Sequence, residues 1–301
     1  MRIAILSRGA ANYSTRVLVS AAEKAGHEAV VLDYLKCYME VQQNRPSVHF
    51  NGERLGKIDA IIPRIGHSHT GYGSAVVRQF EMMNVYTTAK SIAIVRSRDK
   101  LRSLQLLGRS DIDIPKTAFA SQTTDIADLI ELVGGAPLIV KLIESTHGEG
   151  VVLAPTKKEA KSIVQAFYSI GQPILVQEFI EEAGGADIRA FVVGGRVVGA
   201  MKRQGLDEEF RSNLHLGGTG EKVLLTDAEK KIAVKSAKKL GLDIAGVDIL
   251  QSARGPLVIE VNSSPGLEGI EGATERDIAS KIIKYVEINA GRKPKKDKVG
   301  A

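Results

Sequence analysis

Two carboxylates and an amide near the C-terminal end of the chain are the residues best suited by type and spacing to do chemistry. Asp248 lies in Gly246-Val247-Asp248-Ile249-Leu250, and Glu260 and Asn262 lie in Ile259-Glu260-Val261-Asn262-Ser263-Ser264-Pro265-Gly266. Their β-branched and aliphatic neighbours predict two adjacent strands, with Ala253-Arg254-Gly255-Pro256 as the turn between them. Residues two apart on a strand point the same way, so Glu260 and Asn262 share a face. Carboxylates held in apolar strands repel each other and are costly to desolvate unless a cation sits between them. An all-oxygen donor set suits a hard divalent ion such as Mg²⁺, and a metal held this way usually serves phosphates. Either carboxylate alone reads more simply as a strand-end group bonded to backbone or to an arginine, and it is the company of Asn262 that favours the metal. On that reading, replacing Asp248 or Glu260 by Ala relieves a repulsion and leaves the fold intact.

Two lysines and a glycine-containing loop could supply the complementary positive charge. Lys141 interrupts the apolar strand Leu138-Ile139-Val140-Lys141-Leu142-Ile143, and Ser145-Thr146-His147-Gly148-Glu149-Gly150 follows directly. Backbone amides in such a turn can cradle phosphates, although Gly148 and Gly150 fit an ordinary hairpin equally well. Lys100 falls at a predicted helix start, where a cation opposes the macrodipole unless it reaches out to an anion. An exposed lysine is the commoner case there.

The elements that must position these groups alternate along the chain. Arg2-Ile3-Ala4-Ile5-Leu6 predicts a strand, Tyr13 to Ala25 a helix closed by Gly26, and Ala29 to Leu32 a second strand. Asn51-Gly52 is a hairpin signal, Ala60 to Arg64 reads as strand, Ser74 to Met83 as helix and Val85 to Thr87 as strand. Together these predict a small doubly wound α/β layer, without the GxGxxG of a dinucleotide fold. Ser91 to Leu107 is helical in pattern, and a second α/β unit runs from Lys116 through the helices Asp125 to Val133 and Lys157 to Phe167 to the strand at Ile174 to Ile180. A hairpin turns about Gly194-Gly195, and the polar stretch 203–220 is long enough to be a lid or substrate loop. Thr226-Asp227-Ala228-Glu229 is a capping box opening a helix stopped at Gly241, and Asp277 to Ala290 is the last helix.

Composition narrows the classes. With 301 residues, 44% of them hydrophobic, the chain can bury a full core in two or three subdomains. No apolar run is long enough to span a bilayer, so no membrane partner and a cytoplasmic location are expected. A single cysteine, Cys37, excludes an internal disulfide and reads as a buried structural thiol. The net charge of +6 is concentrated in the tail 292–301, which carries five basic residues and one acidic and is expected to be disordered. A nearly balanced body with no tryptophan and 5% aromatics argues against nucleic acid as the primary ligand.

Lys141, the glycine loop, Gln177-Glu178-Phe179-Ile180, Arg211-Ser212-Asn213, Asp248 and Glu260-Val261-Asn262 occur in an order that resembles the ATP-grasp ligases. Pro63-Arg64-Ile65-Gly66, Arg98-Asp99-Lys100-Leu101-Arg102-Ser103, Phe210-Arg211-Ser212-Asn213-Leu214-His215 and Gly266-Leu267-Glu268-Gly269-Ile270-Glu271 resemble the RimK-type α-L-glutamate ligases more closely. The resemblance covers residues 1 to about 290. It implies an ATP-grasp fold behind an N-terminal pre-ATP-grasp domain at 1–95, with a central subdomain at 96–177 and a C-terminal subdomain with the metal site at 178–291. It further implies ATP phosphates on Lys100 and Lys141, adenine on Glu178, Phe179 and Ile180, and ribose on Asp187. Arg211, Ser212 and Asn213 would lie at the transferred phosphate, with Arg211 and Lys141 catalytic. Two Mg²⁺ or Mn²⁺ ions would sit on Asp248, Glu260 and Asn262, and Arg189 and Arg203 would grip the carboxylates of L-glutamate. The implied reaction adds glutamate to the C-terminal tail of a small-subunit ribosomal protein through an acyl phosphate, and a homo-oligomer is expected. The same chemistry on a small-molecule or carrier-protein carboxylate is the alternative, and a non-catalytic ATP-responsive protein is a third reading. Ser145, His147 and Glu149 depart from the family's loop.

Overall fold

The computed structural model describes residues 1–143, 150–206, 212 and 217–291. Ser145, His147 and Glu149, Arg211 and Asn213, and the basic tail 292–301 lie outside the described residues.

The N-terminal layer is a parallel sheet of β1 (Arg2–Leu6), β2 (Glu28–Leu32), β6 (Ala60–Pro63) and β7 (Tyr86–Thr87) in the order β2-β1-β6-β7, with α1 (Tyr13–Lys24) and α2 (Thr70–Met82) as crossovers. β1 is apolar throughout because both of its faces are covered: Ile3 and Ile5 join one core, Ala4 and Leu6 another. Between β2 and β6 lies a small antiparallel sheet of β3 (Cys37–Glu40), β4 (Ser47–Phe50) and β5 (Glu53–Arg54). Only its turn was marked in the sequence, where Asn51 and Gly52 both take positive φ, 52° and 86°. Cys37 is 1% exposed, and burial pushes its thiol up to about 11, as a structural thiol requires.

The helical pattern from Ser91 resolves into α3 (Ser91–Arg98) and α4 (Lys100–Gly108). Asp99 is extended, and its carboxylate accepts from the Arg102 amide at 2.9 Å, capping α4 and making Lys100 its first residue. A second sheet follows, with β8 (Thr117–Ala120), β9 (Leu138–Leu142), β10 (Val151–Ala154) and β11 (Ile174–Glu178) in the order β10-β9-β11-β8, and α5 (Ile126–Leu132) and α6 (Lys157–Ser169) on one face. Leu138, Val140, Ile174 and Val176 pack beneath those helices in a core of their own.

The third sheet is antiparallel, with β12 (Ala186–Val193), β13 (Arg196–Gln204), β14 (Thr219–Lys222), β15 (Ile244–Ser252) and β16 (Gly255–Asn262) in the order β14-β13-β12-β15-β16. The hairpin between β12 and β13 turns on Gly194 and Gly195, at φ 58° and 77°. α7 (Asp227–Leu240) carries the predicted capping box and ends on Gly241 in the left-handed region. It packs on Ile188, Ala190, Val247 and Val258, and this core is continuous with that of the N-terminal sheet. α8 (Glu268–Thr274) and α9 (Ile278–Asn289) cover Phe191, Val193 and Met201 on the opposite face. α8 had no counterpart in the sequence reading. Among the described residues no helix is long and apolar enough to cross a membrane.

Candidate active site

The residues of chemical interest lie on the third sheet, on the face that α8 and α9 cover only in part. Along β12 the alternation that turns Phe191 and Val193 toward the helices turns Asp187 and Arg189 the same way. Register completes the set, pairing Asp187 with Arg203, Arg189 with Asp248, Asp248 with Glu260 and Gly246 with Asn262. A bulge between Asp248 and Ile249 leaves Ile259 as the extra residue, which preserves the pairing of the two carboxylates. Gly246 carries no side chain because a Cβ there would lie 2.9 Å from Pro265, whose turn folds back over β15.

Most of these groups are already spoken for by one another. Arg189 donates from Nε to Asp248 Oδ1 at 2.7 Å and from Nη2 to Oδ2 at 2.6 Å. Arg203 donates from Nη2 to Asp248 Oδ2 at 2.8 Å and forms a fork with both oxygens of Asp187. Burial alone would raise the Asp248 carboxyl, but the two guanidinium groups outweigh it and hold it down to about 2. Asp187 is raised, by burial first and then by the Asp248 charge. Here Arg189 and Arg203, the residues expected at glutamate, are both bonded to aspartates, Asp187, expected at the ribose, is locked to Arg203 and 5% exposed, and Asp248 is held in attraction to arginines rather than in repulsion from Glu260. A carboxylate has about four lone-pair positions. Three are used on Asp248, leaving one on Oδ1.

Glu260 is different. It is exposed, and among the described residues no donor lies within hydrogen-bonding distance of it, yet its charge raises the proton affinity of Arg98, Lys100 and Lys141. The two lysines belong to the opposite wall. Lys141 lies on the face of β9 turned away from α5 and α6, and its Nζ donates to Gln177 Oε1 at 2.6 Å, while Gln177 donates to Thr117 Oγ1 at 2.8 Å. Lys100 donates to the Leu142 carbonyl at 3.0 Å. Asn262 Oδ1 accepts from the Ser264 amide at 2.8 Å. Glu260, Asn262, Lys100 and Lys141 thus form one acidic and basic cleft between the second and third sheets.

Burial pushes the Lys141 ammonium down to about 8, with Lys100 adding to the fall and Glu260 opposing it. The unfolded chain binds more protons at this site between about 8 and the ordinary lysine value of 10.5, so this group's contribution to stability rises with pH there. Affinity for a polyphosphate that needs the charged form should fall above that pH, by up to about tenfold per unit. Lys141→Arg keeps its charge and should flatten the profile. Calorimetric titration with ATP between pH 7 and 9 checks this, and superimposable wild-type and Lys141→Arg profiles would refute it.

Glu178 to Ile180 form the link between the second and third sheets. Glu178 ends β11, takes a fork from Arg254 at 2.7 and 2.5 Å and accepts from the Lys116 amide at 2.9 Å. The Arg254 fork, first among the causes, holds its carboxyl below the usual range. Its side chain is therefore a clasp between β11 and the β15–β16 turn. Phe179 is half-buried, Ile180 is buried, and Ser212 is 9% exposed. Arg98, which carried no role in the sequence reading, donates to the Ile65 carbonyl at 2.6 Å and to Ser263 Oγ at 3.4 Å, tying the N-terminal layer to the end of β16.

Two antiparallel sheets facing each other across a lysine-lined cleft, behind a parallel N-terminal layer, define an ATP-grasp protein. Solved structures agree on the fold: a RimK domain ATP-grasp protein from Sphaerobacter thermophilus (22% identity, TM-score 0.70, 95% of this chain and 100% of that one) and the ATP-grasp ligase PsnB complexed with minimal precursor, Mg and ADP (19% identity, TM-score 0.74, 97% and 98%). Residues 1–94 match the RimK PreATP-grasp domain and residues 97–286 the RimK-like ATP-grasp domain. The chain belongs to the RimK family. A protein of Aliivibrio salmonicida named "Probable alpha-L-glutamate ligase" is 59% identical over 293 residues, 97% of each chain.

Proposed function

We propose that this chain is an ATP-dependent carboxylate–amine ligase that adds L-glutamate to the C-terminal glutamate of a small-subunit ribosomal protein. The observation that carries the reading is the cleft in which Glu260, lacking a hydrogen-bond partner among the described residues, faces desolvated Lys100 and Lys141. The kinship with proteins named glutamate ligases supports the choice of amino acid. In the reaction, the γ-phosphoryl group of ATP passes to the acceptor carboxylate, giving an acyl phosphate and ADP. The amine of glutamate attacks the acyl carbon, phosphate leaves, and an amide remains.

Lys100 and Lys141 hold the phosphates, and Glu178, Phe179 and Ile180 flank the adenine. Arg211, Ser212 and Asn213 are assigned to the transferred phosphate, with Arg211 and Lys141 offsetting charge as it develops. The donor set fits Mg²⁺ or Mn²⁺: Glu260 is uncommitted, Asn262 offers its amide oxygen and Asp248 one remaining lone pair. Two such ions, held by Asp248, Glu260 and Asn262, would neutralise phosphate charge when bound. These assignments need no covalent enzyme nucleophile.

Mass spectrometry after incubation with ATP, Mg²⁺, glutamate and a ribosomal-protein tail peptide tests the reading. Increments of one glutamyl residue are expected. Increments on a small molecule or carrier protein, but not on the tail, would move the acceptor. ADP release at background with every acceptor, despite nucleotide binding, would overturn ligase function.

A further inference from the structure

Two arginines of the third sheet meet carboxylates: Arg203 has Asp187 and Asp248, and Arg189 has Asp248. Arg64 does not. It follows the C-terminal end of β6, where its amide donates to the Leu6 carbonyl at 2.9 Å, continuing the parallel ladder. Its guanidinium is half-buried, and among the described residues no acceptor lies within hydrogen-bonding distance of it. Its neighbour is a second guanidinium, that of Arg98. Burial, and then the charge of Arg98, push Arg64 down to about 10. Two desolvated cations side by side, with no carboxylate in hydrogen-bonding distance among the described residues, are a cost to the fold, and groups left so are kept where a ligand completes them.

The surroundings show where that ligand would lie. Arg98 is fixed from both sides, by the Ile65 carbonyl next to Arg64 and by Ser263 Oγ at the end of β16, and it feels the charge of Glu260. Arg64 and Arg98 therefore stand where the N-terminal layer meets the catalytic cleft. In the same corner the hydroxyl of Ser264, next to Ser263, is buried without a partner among the described residues, and the Gly66 amide is already taken by Tyr34 Oη at 3.0 Å. The phosphate side of the cleft has compact ammonium groups, Lys100 and Lys141. The Arg64 corner offers planar forks, which match a carboxylate with two parallel hydrogen bonds.

We infer that Arg64, with Arg98 beside it, is a specificity-determining residue that receives a carboxylate of a glutamate substrate at the junction of the N-terminal layer and the cleft. The inference rests on the ligase reading above and deepens it. It also offers a carboxylate a guanidinium that no aspartate of the described residues holds, unlike Arg189 and Arg203. Either the free amino acid or the terminal residue of the acceptor presents this chemistry, and the two are separated by experiment.

Full-length Arg64→Gln and Arg64→Lys proteins are compared with wild type in ATP affinity, in KM for glutamate and for a glutamate-ending peptide measured separately, and in thermal midpoint with and without each. Arg64→Gln should raise one of the two KM values about 30-fold or more and leave ATP affinity within about threefold. Arg64→Lys should recover part of the loss. The KM that moves identifies the ligand. The ligand-free midpoint of Arg64→Gln should rise, since a desolvated charge without a carboxylate has been removed, and the midpoint shift that the identified ligand gives wild type should vanish. Unchanged KM values in an active variant, or a lower ligand-free midpoint with unchanged KM values, would overturn the inference. Should wild type form no product, the binding shifts still decide it: a wild-type shift with glutamate or peptide that Arg64→Gln loses upholds this site while the ligase reading falls, and no shift with either overturns it.

Discussion

Asp248→Ala is expected to unfold at lower urea concentration than wild type in metal-free buffer, by about 3–5 kcal/mol of stability, besides losing turnover. The reason is the balance of four buried charges. Asp187, Asp248, Arg189 and Arg203 are neutral as a group, and Asp248 alone bonds both arginines. Deleting it leaves Arg189 buried without its carboxylate and Arg203 with one instead of two. Against a typical total of about 5–15 kcal/mol this loss is large. The sign of the pH dependence follows from the Asp248 carboxyl at about 2, below its ordinary 3.8. Its contribution is fully present above 3.8 and is lost as pH falls toward 2. The double variant Asp248→Leu with Arg189→Met retains the balanced Asp187–Arg203 pair and should recover most of the loss. An Asp248→Ala midpoint equal to wild type would show that the arginine bonds carry no net stability.

Strand periodicity alone predicts the opposite, an intact fold relieved of a repulsion, and the difference has a physical cause. Periodicity places Asp248 and Glu260 on one face of two strands, and the structure pairs them. What lies on the far side of Asp248 is decided by β12, whose Arg189 is 59 residues away, and by how β13 registers on it. That register depends on a bulge near Phe191 and on which strand sits between which, neither of which is written in local pattern. Arg189 and Arg203 were visible as candidate cations, but only the sheet order shows that they face aspartates of their own chain. Elements whose cause is local were legible: the Thr226–Glu229 box, the Gly194-Gly195 turn and the Asn51-Gly52 turn each rest on chemistry within a few residues. The small β3–β4–β5 sheet and α8 were not. Their strands and helix are short and exist because Val48 and Ile270 are buried by distant partners. Arg64 and Arg98 stood in quoted motifs without a role, since an arginine lacking a carboxylate can be recognised only after every neighbour is in place.

Glu260→Gln should separate chemistry from stability where Asp248→Ala cannot. Glu260 is exposed and accepts no hydrogen bond from any described residue, so the substitution leaves no buried donor stranded, and stability should change by less than about 1 kcal/mol. On the proposed function turnover should fall by about 10³-fold or more, because the charged oxygen that faces Lys100 and Lys141, and that would hold the metal, is replaced by a neutral one. A second effect distinguishes this role from a merely local disturbance. The Glu260 charge raises the proton affinity of Lys141 and Lys100, and without it both should deprotonate at lower pH. The decline of nucleotide affinity expected above about 8 in wild type should therefore begin lower in Glu260→Gln and should disappear when Lys141→Arg is added. Measured in metal-free buffer, that displacement reads the cleft electrostatics alone. A Glu260→Gln protein that keeps wild-type turnover, or that loses turnover with its pH profile unmoved and its midpoint sharply lowered, would place Glu260 outside the chemistry and leave the facing walls of the cleft without the charge that joins them.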